Sequence, residues 1–393
     1  MPPVFTAPLA LKRRVGLLFA LQFFAQGVFL PFFAIFLSDK GMGDAEIGII
    51  LATPMAIRIV SGPIVAAIAD MLGRRSAAIS IICAISGVIF AGFLFADGFV
   101  QILTVMIAMA ITNAAIIPLS DAYAMDTVRA GQGDYGRMRL WGSVSFMIAT
   151  LAGGAVLEAT SSTLVPVTVS VSLLACSLMA LMLPELARET PLEADGGIAA
   201  APRLRDIGFL VVLLAAALVQ GSHAAYYGFG SLYWRGLGIG ETLIGFFWVI
   251  GVVVEVVLFL LASKLGMRLP PLAMIALGAV AGVVRWSLFT VVHDPVAVLA
   301  VQSLHGFTFG ATHLGLVGFI ASRIPARRAA TAQGLGGTFV GLVTASGTLV
   351  SGPLYSIDPA YAFWAMAACC ALSLALLALI ALRFAGRKTQ GEV

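Results

Sequence analysis

Long apolar runs, separated by short polar segments, are the feature that most constrains how this chain can fold. A helix needs about 20 predominantly apolar residues to cross the hydrocarbon core of a bilayer. On that rule the chain contains twelve candidate spans, which we place at 15–38, 46–70, 76–96, 99–125, 135–159, 163–184, 206–235, 241–264, 269–291, 295–322, 328–354 and 358–384.

Composition excludes a soluble globular protein. Hydrophobic residues make up 60% of the 393 residues and charged residues only 11%, whereas a soluble domain carries about a quarter charged residues. We therefore predict an all-α integral membrane protein in contact with the lipid bilayer. The net charge of +4 does not indicate nucleic acid, because the basic residues form short clusters between the spans. The four cysteines lie in apolar segments without metal-ligand spacing, so we expect buried thiols and neither a metal nor a cofactor.

The basic residues also predict the orientation. With the N-terminus inside the cell, the cytoplasmic segments hold 19 of the 23 Lys and Arg residues. Of the other four, Lys40 and Arg235 fall outside, and Arg58 and Arg285 lie within spans. The positive-inside rule then places both termini in the cytoplasm.

A polar stretch at 186–205 divides the spans into six and six. It is rich in Pro, Gly, Ala and charged residues, which cannot bury a core, so we predict a cytoplasmic linker. The segments 1–185 and 206–393 would each form a bundle of six helices. Faint self-similarity ("EIG" with "ETLIG", "LGRR" with "LGMR") is expected of transporters built from repeats, and it predicts two pseudo-symmetric bundles.

Five charged or titratable residues lie deep inside the spans: Arg58, Glu255, Arg285, His305 and His313. A charge at membrane depth is costly unless it faces a polar cavity or a partner. Such residues are typical of proteins that move ions or polar solutes.

Glu255 and the two histidines are candidates for proton coupling. Glu255 lies about 14 residues into its span, where a carboxyl group in a dry environment can hold a proton. The alternative is a neutral Glu that hydrogen-bonds a neighbouring helix. His305 and His313 would lie about 80° apart around one helix and about 12 Å apart along it. Histidine titrates near neutrality and suits a relay, although a membrane histidine can also be only an interhelical hydrogen bond.

Two arginines are candidates for binding an anion. Arg285 cannot lose its proton, so it needs an anion or a water-filled cavity; it could pair with Glu255, form a simple buried ion pair, or bind a substrate carboxylate. Arg58, near the middle of the second span, offers a bidentate fork for a carboxylate. Its alternative role is structural, as a partner of backbone carbonyls.

The segment QGSHAAYYGF of the seventh span supplies polar candidates for substrate binding: Gln220, His223, Tyr226 and Tyr227. Glycines at 221, 228 and 230 are predicted to weaken this helix, and broken helices often line transporter sites. Trp234 is predicted to be an interfacial anchor.

The segment AAIADMLGRR at 66–75 resembles the loop between helices two and three of the major facilitator superfamily. Asp70, Gly73, Arg74 and Arg75 match that pattern, and Ala66 stands where a glycine is usual. The resemblance implies a gating motif, with a tight cytoplasmic turn at Gly73 and Asp70 able to pair with a basic group. It also implies two six-helix bundles that work by alternating access.

Further segments resemble the phenylpropionate-permease branch, which is akin to the lactose-permease type of proton symporter. They are PLSDAYA, DYGRMRLWGSVSF, QGSHAAYYGF, VVVEVVLF, GVVRWS and LHGFTFGATHLG. The resemblance implies proton-coupled uptake across a bacterial inner membrane. It matches Glu255 to a protonatable or substrate-binding carboxylate, and Arg285 to an arginine that influences nearby protonation.

The resemblance to the lactose type also includes the spacing of two charged residues, and one position departs from it. Asp121 and Arg139 have the separation of two substrate-binding residues of the lactose type, although a gating or structural salt bridge is an equal alternative. Thr308 stands three positions after His305, where the lactose type has a glutamate, so Glu255 is the expected coupling carboxylate. We expect three other charges, Asp126, Asp134 and Arg137, to be solvated in loops.

We therefore predict a monomeric secondary transporter, not an enzyme, for proton-linked uptake of a small organic acid, expected to be aromatic. No P-loop pattern is present, so the energy would come from an ion gradient. The alternatives are symport of a neutral sugar or nucleoside, drug/proton antiport, or a non-transporting scaffold or sensor. An intramembrane hydrolase is disfavoured, because the sequence offers no nucleophile or metal trio beside the two histidines.

Overall fold

A computed structural model describes residues 10–71, 74–186, 204, 206–264, 269–325 and 328–390 of the chain. In this part of the chain every regular element is a helix. The first half contains α1 Leu11–Asp39, α2 Asp44–Met71, α3 Arg75–Ala91 with a 3-10 turn Gly92–Leu94, α4 Phe99–Asn113, α5 Ile116–Arg129, α6 Tyr135–Ala159 and α7 Leu164–Leu181.

The second half is less regular. It contains α8 Ile207–Gly221, a π-helical turn Tyr226–Gly230, α9 Ser231–Gly236, α10 Glu241–Lys264, α11 Pro271–Phe289, α12 Pro295–Ser303, a second π-helical turn Gly306–Ala311, α13 Thr312–Arg323, α14 Ala329–Ile357 and α15 Pro359–Gln390.

The predicted fold class is confirmed. Eleven helical stretches of the described chain are long and apolar enough to cross a membrane, and α2 occupies the place of the second predicted span. Three of the stretches join two helices each: α4 with α5, α8 with α9, and α12 with α13. The predicted linker at 186–205 lies almost entirely outside the described residues, so it stays a prediction.

Contacts divide the chain into two compact units. The first comprises residues 1–40 and 60–190, and the second comprises residues 41–59 and 191–393. The start of α2 belongs to the second unit because it packs closely on α14: a Cβ atom added at Gly48 would lie 3.1 Å from the Cα of Gly352.

The first unit is held together by aromatic packing. Its helix α1 lies against α6 and α7, and α3 lies against α7. A cluster of phenylalanines joins α1 to α3, with ring centroids 5.0 Å apart for both Phe33–Phe93 and Phe90–Phe93. Because lipid is as apolar as these rings, their contribution is close van der Waals contact rather than exclusion of water.

Several charged groups of the first unit lie at the ends of its helices. Asp126, near the end of α5, is 7% exposed and forms ion pairs with Arg75 and Arg129. The prediction that Asp126 is a solvated loop charge is therefore wrong, because Arg75 comes from α3, 51 residues away. Asp134, in contrast, is exposed and caps α6 by accepting the backbone N–H of Arg137 at 2.8 Å.

A carboxylate also caps α3. Glu185 Oε1 accepts the Ser76 hydroxyl at 2.5 Å and the Ala77 backbone N–H at 3.3 Å, and lies 3.8 Å from Nε of Arg74. This is the favourable charge for the positive end of a helix dipole. Of the predicted gating motif, Arg74 and Arg75 thus have described partners. Gly73 and the side chain of Asp70 lie outside the described residues.

The second unit buries an aliphatic core between α8, α11, α13 and α15, which includes Leu213, Ile275, Ile320 and Leu377. Trp234 is also buried, at 1% exposure, with Phe247 and Phe289 at centroid distances of 4.9 and 5.1 Å. The prediction of an interfacial anchor is wrong, because other aromatic rings enclose the indole. The cysteines are free thiols, and only Cys369 is not fully buried.

Candidate functional site

The second unit brings together three predicted residues from three of its membrane-spanning stretches. Arg285 of α11 is completely buried. Its Nη1 lies 3.0 Å from Nδ1 of His305, and Nε2 of His305 lies 3.6 Å from Oε2 of Glu255 on α10. His305 therefore lies between Arg285 and Glu255. Arg285 therefore does not pair directly with Glu255, one of the partners considered for it, because His305 lies between them.

The guanidinium of Arg285 hydrogen-bonds and contacts only neutral side chains among the described residues. Nη2 donates to Oε1 of Gln302 at 2.5 Å, and Nη1 donates to the Thr308 hydroxyl at 3.2 Å. The guanidinium also lies 4.8 Å from the ring centroid of Tyr226 and 4.4 Å from that of Trp286, in cation–π geometry. No carboxylate of the described chain is within ion-pair distance of this cation.

Two buried donors next to this cation lack an acceptor among the described residues. They are Nε of Arg285 itself and Nε2 of Gln302. Because Arg285 can only donate, Gln302 must turn its oxygen towards Nη2, which leaves its amide nitrogen unpaired. Buried donors without acceptors are rare and costly, so this part of the unit suits an additional acceptor group.

The same reasoning fixes the tautomer of His305. Its Nδ1 faces a donor that has no lone pair, so Nδ1 must be the acceptor. The one hydrogen of a neutral His305 then lies on Nε2, which faces Glu255. Glu255 is partly open, with 19% of its side chain exposed, so the route from arginine to carboxylate ends at a group that is not fully enclosed by the protein.

Gly251 and Gly306 make the close approach of these residues feasible. A Cβ atom added at Gly251 would lie 3.0 Å from Cβ of His305. One added at Gly306 would lie 2.7 Å from Cγ1 of Val254 and 3.2 Å from the backbone nitrogen of Glu255. Any larger residue would separate His305 from α10.

The π-helical turns explain how the two predicted histidines face one way. The rings of His305 and His313 both lie nearly parallel to that of Phe309, with centroids 5.6 and 6.2 Å from it. An α-helix would rotate them about 80° apart, but the wider turn at Gly306–Ala311 reduces that drift. His313 is exposed, whereas His305 is 8% exposed.

The predicted weakness of the seventh span is present. The helix is interrupted at Ser222–His223, and the turn Tyr226–Gly230 is π-helical. Gln220 donates to the carbonyl of Phe309 at 3.1 Å. His223 is completely buried and lies 3.1 Å from the Thr308 hydroxyl through its Nε2.

Aromatic rings line the same region. Tyr226 stacks on Trp248 with centroids 4.3 Å apart, and Tyr227 lies 5.9 Å from the same indole. Tyr226 is buried, whereas Tyr227 is partly open. Sequence reasoning missed Trp248, Gln302, Gly251 and Gly306. Only Gln302 carried a signal, since it is a polar residue one helical turn before His305.

Other predicted residues lie apart from this cluster. Arg58, in the part of α2 that belongs to the second unit, is exposed and has no described hydrogen bond or ion pair. Asp121 accepts the Tyr135 hydroxyl at 3.0 Å, and Arg139 lies 3.9 Å from the ring centroid of Phe23. Asp121 and Arg139 belong to the first unit, and no ion pair joins them in the described part of the chain.

Comparison with known proteins places the chain. It is 30% identical over 368 residues, covering 90% of this chain and 94% of the relative, to the probable 3-phenylpropionic acid transporter of Escherichia coli strain K12. It is 27% identical to the maltose permease of Geobacillus stearothermophilus, covering 70% of each chain.

Solved structures agree in fold. The nucleoside transporter NupG superposes with a TM-score of 0.80 at 16% identity, covering 95% of this chain and 99% of that one. A bacterial homolog of the human lysosomal transporter Spinster gives a TM-score of 0.73 at 17% identity, covering 94% and 96%. The model of the MFS_1 like family matches residues 13–366. The chain is therefore a multi-pass membrane protein of the secondary-transporter type that belongs to the MFS_1 like family of the major facilitator superfamily.

Proposed function

We propose that this transporter takes up a small aromatic carboxylate together with protons. It would act as a monomer in a bacterial inner membrane, with both termini in the cytoplasm. The observation that carries the proposal is Arg285, a cation with no exposed surface whose described partners are all neutral. A buried charge without a counter-ion is unfavourable by several kcal/mol, and a substrate carboxylate would relieve that cost.

Several features support an aromatic anion. A carboxylate has the acceptor oxygens that Nε of Arg285 and Nε2 of Gln302 lack. The rings of Tyr226, Trp248 and Trp286 surround the guanidinium side of the cluster. The name of the 30% identical relative, a probable 3-phenylpropionic acid transporter, agrees with this chemistry. Arg58, exposed on α2, is a second cation that could attract the anion.

Proton binding and anion binding are coupled through one hydrogen bond. A proton that enters at Nδ1 of His305 turns this nitrogen into a donor, which can no longer accept Nη1 of Arg285. The imidazolium keeps its Nε2 hydrogen towards Glu255. Arg285 then loses an acceptor and gains affinity for a carboxylate, so each ligand favours binding of the other, as reciprocal coupling requires.

The charged and titratable groups around His305 support that sequence of events. Arg285 faces it from α11, Glu255 from α10, and His223 and Tyr226 from the interrupted seventh span. Glu255 is the one described carboxylate among these groups. It is therefore the proposed final holder of the proton, and the exposed His313 is a proposed second contributor to the exchange.

Transport in proteoliposomes tests the proposal. We expect an imposed inward proton gradient to accumulate 3-phenylpropionate but not maltose or uridine. Substituting Glu255→Gln should abolish accumulation and spare exchange of labelled for unlabelled substrate. Accumulation of 3-phenylpropionate that ignores the gradient would contradict symport. Accumulation of maltose or uridine instead would favour the neutral-solute alternative.

A further inference from the structure

His223 and Thr308 form a second arm of the cluster that the coupling scheme above does not use. Both are completely buried. His223 places Nδ1 2.9 Å from the carbonyl oxygen of Gln220 and Nε2 3.1 Å from the Thr308 hydroxyl. Since both ring nitrogens already have partners, His223 is poorly suited to the substrate-binding role that the sequence suggested.

The hydrogen on His223 is fixed by its backbone partner. A carbonyl oxygen can only accept, so Nδ1 must carry the hydrogen. A second hydrogen on Nε2 would create a cation beside Arg285, and no described carboxylate faces His223 to balance it. The other groups packed on this ring are His305, Tyr227, Trp286 and Phe309. His223 is therefore neutral, and its Nε2 accepts.

Thr308 transmits this arrangement to Arg285. The hydroxyl has two acceptors in reach, Nε2 of His223 at 3.1 Å and the carbonyl of His305 at 3.2 Å. Nε2 of a neutral His223 has no other donor, so it takes the hydroxyl hydrogen. The lone pairs of Thr308 then accept Nη1 of Arg285, which places the remaining Nη1 hydrogen on Nδ1 of His305.

We propose that His223 and Thr308 are positioning residues of the proton-coupling site. Through Arg285 they keep His305 in the tautomer whose only hydrogen faces Glu255. The inference rests on the proposed function, since it assigns a role within proton coupling. It also accounts for a hydroxyl where lactose-type permeases carry a glutamate: the position here accepts from Arg285 without adding a charge.

Matched pairs of variants test this role. Thr308→Val keeps the shape of the side chain and removes the hydroxyl, whereas Thr308→Ser keeps the hydroxyl. His223→Asn can donate to Gln220 but ends short of Thr308, whereas the amide of His223→Gln can reach the place of Nε2. All four variants would be purified, checked for thermal stability and reconstituted in proteoliposomes with 3-phenylpropionate.

The pH profile of gradient-driven accumulation is the deciding measurement. We expect Thr308→Val and His223→Asn to lower accumulation about tenfold, the size of one buried hydrogen bond, and to move the pH midpoint. Exchange at saturating substrate should stay within about twofold. Thr308→Ser and His223→Gln should keep the wild-type profile.

Three outcomes overturn the inference. An unchanged pH profile in Thr308→Val excludes a role of the Thr308 hydroxyl in proton coupling. Equal losses of accumulation in the two variants of a pair indicate packing rather than hydrogen bonding. Equal loss of exchange and accumulation indicates substrate binding. Failure of the proposed function would be distinguishable, because accumulation by the wild-type protein itself would not respond to the proton gradient. That result would also exclude the positioning role of His223 and Thr308 in proton coupling.

Discussion

The charged clusters of the two units differ in their surroundings and in their partners. In the first unit, Asp126 with its two arginines and Glu185 with Arg74 lie at helix ends. In the second unit, Glu255 lies near the middle of α10, and the completely buried Arg285 lies about one turn before the end of α11, beside a π-helical turn. Helix ends meet polar headgroups, loops and water, whereas a completely buried residue must find every partner inside the protein.

This difference separates charges that stabilise the fold from charges that are candidates for transport. Charges at helix ends gain from helix dipoles and direct ion pairs, so they can stabilise helices without further ligands. The buried arginine of the second unit, Arg285, has neutral acceptors, and its own Nε and Nε2 of Gln302 are unpaired donors. Removing a charge should therefore damage stability in the first unit and transport in the second.

The largest effect is expected at Arg285. Arg285→Ala should lower gradient-driven uptake at least about 100-fold, because it removes a buried interaction worth about 3–5 kcal/mol with the anion. Arg139→Ala is the matched arginine of the first unit, and we expect it to cost less than about tenfold. Initial uptake rates in proteoliposomes measure both effects. Equal losses of uptake would contradict the difference between the two units.

A loss of stability without loss of coupling is expected at Asp126. Asp126→Asn leaves Arg75 and Arg129 without their shared carboxylate at the end of α5. Breaking a largely buried pair costs about 3–5 kcal/mol, reduced here because the Arg129 side chain is 58% exposed. Thermal unfolding in detergent should show a lower midpoint, while the pH profile of uptake stays unchanged. A shifted profile would link the first unit to coupling.

The smallest effect is expected at the cap of α3. Glu185→Ala removes the acceptor of the Ser76 hydroxyl and of the Ala77 backbone N–H, a loss of about 0.5–2 kcal/mol. Glu185→Gln keeps an acceptor oxygen without the charge and should retain about half of that stability. Thermal unfolding of the three proteins separates the hydrogen bonds from the helix dipole. Identical midpoints would mean that Glu185 does not act as a cap.

Much of the fold was predictable, because membrane spans have a strong local signal. Apolar length alone located helices such as α6, which the structure begins at Tyr135 and ends at Ala159 as predicted. Positions that depend on distant partners were not predictable. The sequence predicts a loop charge at Asp126, because it does not show that Arg75 lies beside it. It predicts an interfacial anchor at Trp234, because it does not show that Phe247 and Phe289 enclose the indole.

The candidate site could likewise be predicted only in part from the sequence. Polar residues in apolar runs identified Glu255, Arg285 and His305 as candidates, and the structure joins them. The order in which the three side chains contact one another depends on rotamers and on the π-helical turn Gly306–Ala311, neither of which the spacing of residues encodes. Arg58 met the same sequence criterion and yet is exposed without a described partner, so its role in transport remains a proposal.

The π-helical turns give the second unit an adjustable joint in two of its spans. Each turn holds one more residue than an α-helical turn of the same rise. A return to α-helical bonding would rotate the following segment by about one residue. In the tenth span that rotation would turn His313 away from the face it shares with His305, while His305 stayed beside Arg285. One half of a span can thus change what it presents to a solute while the other half keeps its bonds.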